Sequence, residues 1–497
     1  MKKQFFLVSL VILIVGISVS CKNNKVEAIN YDVEYKSLVE AFSKGESSYK
    51  DCNDFYQNIK EDKITEAISE LSGRMNSIND SKNNFALGKE KYLQEQWVES
   101  YKFLSNVIAE DEENYNEAVE KKNEIMSTYI NEAEVLALGY YYDEAIAKLE
   151  EIAPYSKDDS SVDEKLNEYN TKKGELVLYE GEVRNIFFHS LIVFPELAFD
   201  GDFMQRGYNY WMTTVSEYKK MLEQMYERDY ILIDINMVYE TEYVDDKPVI
   251  KKKDLYLPKG KKPIILSLDD LNYYKYMEKD GFADRLVLDE DGNVATFTKL
   301  PDGGELVARD NDCVPITDVF VEEHPDFSFR GAKGVIGFTG YEGIMGYRTD
   351  LFDSPTFEED FKTTKAIADK LKETGWRLGS HSYGHIDFQK KGITRVKKDT
   401  KQWNDEVIPI IGKTNLFIYP YGSSVKKDDE RFKELQKYGF EVFWGVGGRG
   451  ATLRYYDDFI FMDRCNLDGF KMNRGPKQLE DLFDIDYVYD KSRPKFE

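Results

Sequence analysis

Four histidines occur in the 497 residues, and two of them stand four apart in His381-Ser382-Tyr383-Gly384-His385. That spacing brings two neutral nitrogen donors to one side of a turn. One carboxylate would complete a facial set with open positions, which suits Zn²⁺ or another divalent ion. Asp269-Asp270 supplies two carboxylates directly after the apolar run Ile264-Ile265-Leu266-Ser267-Leu268. A cation held this way lowers the pKa of a water and polarises a carbonyl, while a carboxylate outside the set takes the water's proton. Asp270 is expected to face the metal and Asp269 the water. Adjacent residues on a regular strand point to opposite faces, so both can serve one site only if the strand ends at this pair. A third cluster, Tyr419-Pro420-Tyr421-Gly422, follows the apolar run Leu416-Phe417-Ile418. Taken singly, an Asp-Asp pair reads as a cap or surface feature and a His-x-x-x-His as a structural pair. All three clusters, however, leave a predicted strand at its C-terminal end, where parallel α/β folds collect their chemistry.

The elements that must position these residues begin near residue 176. Ile186-Phe187-Phe188, Ile231-Leu232-Ile233, Ile264 to Leu268, Val335-Ile336-Gly337-Phe338, Trp376-Arg377-Leu378, Leu416 to Ile418 and Val442-Phe443-Trp444 read as short buried strands. Amphipathic helices alternate with them. One opens on the capping box Thr214-Val215-Ser216-Glu217; another is expected to start at Ser354-Pro355, with Pro in its first turn, and to stop at Gly375. The alternation predicts a parallel α/β barrel or open sheet. Between about 282 and 315 the turns Asp291-Gly292 and Asp302-Gly303-Gly304 predict a β-hairpin insertion. Residues 36–175 are helical in pattern. Trp97-x-x-Ser100-Tyr101-x-x-Leu104-x-x-Val107 recurs 45 residues later as Tyr142-x-x-Ala145-Ile146-x-x-Leu149-x-x-Ile152. The spacing puts each set on one helix face, with a small residue where helices approach closely. Leu138 to Ile146, followed by Pro154, resembles a tetratricopeptide repeat, so an all-α array of helical hairpins is expected, with an ordinary helical bundle as the alternative.

The ordered motifs resemble those of the NodB-homology polysaccharide deacetylases over about 180–470. That family's first motif is an apolar strand ending in Asp-Asp, matched by Ser267-Leu268-Asp269-Asp270. His381-Ser382-Tyr383-Gly384-His385 matches its His-Ser-x-x-His, and Tyr419-Pro420-Tyr421-Gly422 its third motif. The resemblance implies a distorted (β/α) barrel of about seven strands. It implies Asp269 as base, Asp270, His381 and His385 as metal ligands, and Tyr421, after Pro420, donating its backbone N–H to the oxyanion. The departures are informative. Many members carry an Arg just before the third-motif Pro to orient the base; Ile418 and Tyr419 stand there. Many carry a late Leu-x-His whose His is the general acid, yet no histidine follows His385. At the corresponding strand Phe461-Met462-Asp463-Arg464 offers Asp463 or Arg464 as a replacement. His189, at another strand exit, is a candidate acid, with a hydrogen-bonded rim histidine as the alternative. His324 reads as a surface loop residue, and Tyr341 to Tyr347 as packing or as the lining of a sugar groove.

Met1-Lys2-Lys3, an apolar run from Phe5 to Val19 and Ser20-Cys21 make a secretory signal. It resembles a bacterial lipoprotein signal, with Cys21 lipidated after cleavage, although Ser18 stands where Leu is usual. The expected organisation is a signal peptide over 1–21, a tether over 22–35, a helical region over 36–175 and a deacetylase-like domain over 176–497. Cys52, Cys313 and Cys465 allow at most one internal bridge, for which Cys313 and Cys465 are candidates, buried free thiols being the alternative. With 41% hydrophobic residues a real core is expected, and a net charge of −25 repels phosphate backbones, so nucleic acid is excluded as a partner. The expected protein is an extracytoplasmic, lipid-anchored hydrolase. It would use one divalent ion, zinc first and Co, Ni or Mn as alternatives, to remove N-acetyl groups from a surface polysaccharide or peptidoglycan sugar. An O-acetyl esterase and a catalytically weakened glycan-binding or assembly lipoprotein are the alternatives. The helical region is expected to offer a protein-contact surface or a glycan-guiding spacer.

Overall fold

The computed structural model describes residues 30–157, 159–245 and 247–496. The signal segment and Cys21 lie outside the described residues. No described helix is long and apolar enough to cross a membrane. The chain divides into two compact units between Ser127 and Thr128.

In the first unit helices span Tyr31–Ser43, Tyr49–Gln57, Glu66–Leu93 and Trp97–Leu104. The first of these takes in residues 31–35, the end of the expected tether, because the Asn30 side chain caps it and Tyr35, Val39 and Phe42 bury one face. Those three pack with Cys52, Ile68, Met75 and Ile78. The 45-residue recurrence is also structural. The long helix Glu66–Leu93 turns through left-handed Glu95 into the short helix Trp97–Leu104. Helix Tyr115–Leu138 turns through left-handed Tyr140 into Tyr142–Glu150. Ser100 Oγ donates to Gly88 O at 2.9 Å, and a Cβ at Gly88 would lie 2.8 Å from Leu104. The counterparts in the second turn are Ala133 and Ala145, both fully buried.

The second unit begins before the expected boundary at 176. Helices continue to Gly174, but the Tyr140 ring stacks on Phe329 at 5.3 Å, and the Arg330 N–H donates to Gly139 O at 3.0 Å. These contacts tie the later helices to the barrel, and composition alone does not reveal them.

Seven strands close the barrel: β1 Arg184–Phe188, β2 Lys262–Asp269, β3 Gly334–Phe338, β4 Trp376–Ser380, β5 Leu416–Ile418, β6 Val442–Val446 and β7 Ile460–Asn466. Each pairs in parallel with the next, and β7 returns to β1 through Cys465 opposite Ile186 and Asn466 opposite Phe187. Parallel neighbours need crossovers, which helices Val215–Glu227, Cys313–Glu323, Phe357–Glu373, Ile393–Glu406 and Glu430–Lys437 supply from β1 to β6, while β6 reaches β7 through the short antiparallel strand Leu453–Tyr455. Ile264, Leu266 and Leu268 of β2 join the core that also holds Tyr218 and Leu222. Ile265, Ser267 and Asp269 alternate with them and face the barrel interior. Space inside comes from glycine: a Cβ at Gly337 would lie 2.9 Å from Ile418, and one at Gly379 2.9 Å from Leu416. Pro355 precedes the cap Thr356 rather than standing in the helix's first turn, and Gly375 ends that helix region at φ 101°.

The insertion is a three-stranded antiparallel meander, Arg285–Leu288, Val294–Lys299 and Glu305–Ala308, turning at the two expected Asp-Gly positions. A further hairpin, Tyr239–Val244 with Lys247–Lys252, precedes β2. Cys52, Cys313 and Cys465 are buried free thiols. The His324 ring is half-buried against Tyr226 and Phe320 rather than standing in an exposed loop.

Candidate active site

Strand β2 stays extended through Asp269, and Asp270 then enters the left-handed region at φ 57°. Its N–H donates to Gly337 O at 3.2 Å. That turn meets the condition set by the strand period: the two carboxylates reach the same end of the barrel. The Tyr274 hydroxyl lies 2.7 Å from Asp270 Oδ1 and 2.6 Å from Thr339 Oγ1. The other oxygen, Oδ2, lies 3.5 Å from His385 Nε2.

His381 follows β4 directly. Its N–H donates to Phe338 O at 2.8 Å, and its Nδ1 lies 2.9 Å from Ile418 O. A carbonyl only accepts, so Nδ1 carries the proton and Nε2 keeps its lone pair for the interior. Burial pushes the His381 imidazole down to about 4, against the pull of Asp269 and Asp270. It is therefore neutral at pH 7, as a metal ligand must be. The loop to His385 runs through left-handed Ser382 and His385. Buried Asp399 holds it by accepting from Tyr383 N at 2.8 Å and Gly384 N at 2.9 Å. One donor atom each from Asp270, His381 and His385 lie within 4.8 Å of one another. Two imidazoles and a carboxylate at this separation, one imidazole fixed as an Nε2 donor, fit a single divalent cation.

Asp269 is almost fully buried. Arg464, 1% exposed, forks onto it, Nη1 to Oδ1 at 2.6 Å and Nη2 to Oδ2 at 2.9 Å. The same guanidinium donates to Ser267 Oγ at 3.0 Å and lies over the Phe187 ring at 4.2 Å. Burial would raise the Asp269 carboxyl, but the Arg464 guanidinium outweighs it and holds it well below the usual carboxylate range. Asp463, the other candidate on this strand, does not reach the site. Strand parity turns it outward, where it pairs with Arg454 at 2.9 Å.

Pro420 is buried and starts the turn in which Tyr421 is left-handed at φ 57°. The Tyr421 N–H has no acceptor among the described residues, and its ring packs 4.4 Å from that of His385. A Cβ at Gly422 would lie 2.8 Å from Val446 Cβ, so the turn sits tightly on β6. Asp269, Asp270, His381, His385, Tyr421 and His189 line one cleft of about 470 Å³. His189 stands edge-on to Phe187 at 5.8 Å, and Asp468 lines the same cleft. Reading the sequence missed Tyr274, Thr339 and Asp399. None belongs to a recognisable spacing, and each acts through a contact that only the folded loops create.

A closed parallel barrel with carboxylates and imidazoles gathered at the strands' C-terminal ends defines a class of enzyme-like sites. Residues 355–443 match the polysaccharide deacetylase family. This stretch takes in β4, His381, His385 and the Tyr419–Gly422 turn, while Asp269 and Asp270 lie before it. Among solved structures, Streptococcus pyogenes deacetylase PplD in complex with acetate is similar at a TM-score of 0.34 and 11% identity, covering 61% of this chain and 99% of that one. No curated protein matches the chain.

Proposed function

We propose that the protein is a metal-dependent hydrolase that removes N-acetyl groups from a surface polysaccharide or peptidoglycan sugar. The observation that carries this reading is the gathering of Asp270, His381 and His385 donor atoms within 4.8 Å of one another, beside Asp269. Those three residues would hold one divalent cation, zinc first, which when bound supplies a Lewis acid that lowers the pKa of a water and polarises an acetyl carbonyl. Asp269 takes the proton from the water as its oxygen bonds to the carbonyl carbon. Arg464 keeps Asp269 ionised and fixes the plane of its carboxylate. The Tyr421 N–H donates to the oxygen that gains charge. The C–N bond then breaks, His189 delivers a proton to the departing amine, and acetate and a free amino sugar result.

Purified protein should release acetate from N-acetylglucosamine oligomers or a cell-wall preparation. EDTA or Asp270→Asn should abolish that release, and release that survives both refutes the reading. Acetate freed only from O-acetyl esters would assign an esterase instead. Metal retention without turnover on any acetylated glycan would favour a binding protein. We further propose that Cys21 carries the lipid anchor; Cys21→Ala should move the protein out of the membrane fraction.

A further inference from the structure

One wall of the cleft is aromatic and not used by the chemistry above. Trp211 is 47% exposed, and its indole lies nearly parallel to the Phe470 ring, 5.1 Å away with 25° between the planes. Both residues line the same cleft as Asp269 and His385. An indole left half in water at a site mouth, when three of the five tryptophans are fully buried, is unusual use of so large an apolar surface.

The wall is rigidly braced. Arg493, in the C-terminal segment, donates to Met212 O at 2.7 Å and to Asn209 O at 2.9 Å. Its guanidinium forks onto Glu217, and both side chains are fully buried. Behind the indole, Tyr210 stacks on Phe496 at 4.3 Å, and Arg474 lies over Phe496 at 5.2 Å. A Cβ at Gly469 would lie 2.0 Å from Asn209 O, so helix Gly469–Arg474 presses directly on the backbone that carries Trp211. The C-terminal segment thus holds the Trp211–Phe470 pair in place before any ligand arrives, which limits the entropy cost of binding.

We propose that Trp211, backed by Phe470, is a sugar-stacking subsite. It would bind the pyranose ring adjacent to the N-acetylated one, which makes the preferred substrate an oligosaccharide rather than a single sugar. A pyranose has an apolar face of axial C–H groups and a rim of hydroxyls. The face fits a flat indole, and the rim stays in water or reaches the polar side of the cleft. This inference rests on the deacetylase reading for its choice of ligand.

The experiment compares acetate release from the N-acetylglucosamine tetramer and monomer by wild type, Trp211→Ala, Trp211→Phe and Phe470→Ala. Tetramer binding to each protein is measured calorimetrically. The ratio of kcat/KM for tetramer to that for monomer should fall about tenfold in Trp211→Ala, with the loss in KM, and recover in Trp211→Phe. Thermal melting identifies a variant that fails to fold, and Phe470→Ala then carries the comparison. An unchanged ratio in a folded Trp211→Ala overturns the subsite while leaving the deacetylase reading intact. If wild type releases no acetate, that reading falls and calorimetry decides: tetramer bound by wild type and about tenfold less by Trp211→Ala supports the subsite, and equal or no binding overturns it.

Discussion

Arg464 is the residue whose replacement separates geometry from charge. Its guanidinium and the Asp269 carboxylate are both nearly excluded from water and joined by two parallel bonds of 2.6 and 2.9 Å. Arg464→Met leaves a buried carboxylate without its partner, which costs about 3–5 kcal/mol of stability. Arg464→Lys restores the charge but not the fork, because an ammonium makes a point contact where the guanidinium makes two. The Lys variant should recover most of the stability and, with Asp269 as the proposed base no longer held in its plane, still lose about a hundredfold in kcat. Asp269→Asn combined with Arg464→Met removes both charges. It should be less destabilised than the single Arg464→Met change, with a coupling energy of about 2–3 kcal/mol. Urea unfolding and acetate release measure the two quantities, and Asp463→Asn, facing outward, is the control. A Lys variant turning over within threefold of wild type, or additive stabilities, would refute the orienting role.

Tyr274→Phe removes the hydroxyl that meets Asp270 Oδ1 at 2.7 Å, and metal affinity should fall about tenfold in a chelator competition; unchanged affinity means the hydroxyl does not position the ligand. Burial raises the Asp312 carboxyl to about 6, so the folded state binds a proton there that the unfolded state releases near 4. Its contribution is present below about pH 4 and is lost as pH rises through 6, a loss on the order of 2 kcal/mol that Asp312→Asn should flatten in urea titrations at pH 4.5 and 7. Tyr140→Ala removes the ring stacked on Phe329 and a hydrogen bond to Asp326 O, and the second unit should lose about 3 kcal/mol by denaturant unfolding. A loss under 1 kcal/mol would show that the helices after Thr128 are not part of that unit's core.

The legible parts of this protein are those carried by short spacings. Asp269-Asp270 and His381 to His385 each sit within five residues, and the strand period requires β2 to end at the two carboxylates if both serve one site. The break takes the form of a left-handed Asp270. The 45-residue recurrence was legible because helix faces repeat at three and four. The hydrogen bond of Ser100 to Gly88 was not, because Gly88 lies outside the repeated segment. The boundary near 176 followed a change of texture. The division at Ser127 follows contacts such as Tyr140 on Phe329, which no local pattern carries.

Arg464 on Asp269 shows how a closed barrel relaxes the constraint of sequence position. In an open sheet, β7 and β2 would be separated by the full width of the layer. Closure places β7 beside β1 and β1 beside β2, with Asn466 opposite Phe187 and Phe187 opposite Ser267. An inward side chain on β7 therefore needs only to cross one strand to reach Asp269. Arg464 does so over the Phe187 ring, which gives the guanidinium an apolar face to lie on while its edges donate to Asp269 and Ser267. Parity chooses between the two candidates, because Asp463 one residue earlier points away from this path. A strand separated from β2 by one neighbour, as β7 is by β1, can thus supply the orienting cation. Its position along the chain is accordingly a weaker constraint than its parity and depth in the barrel.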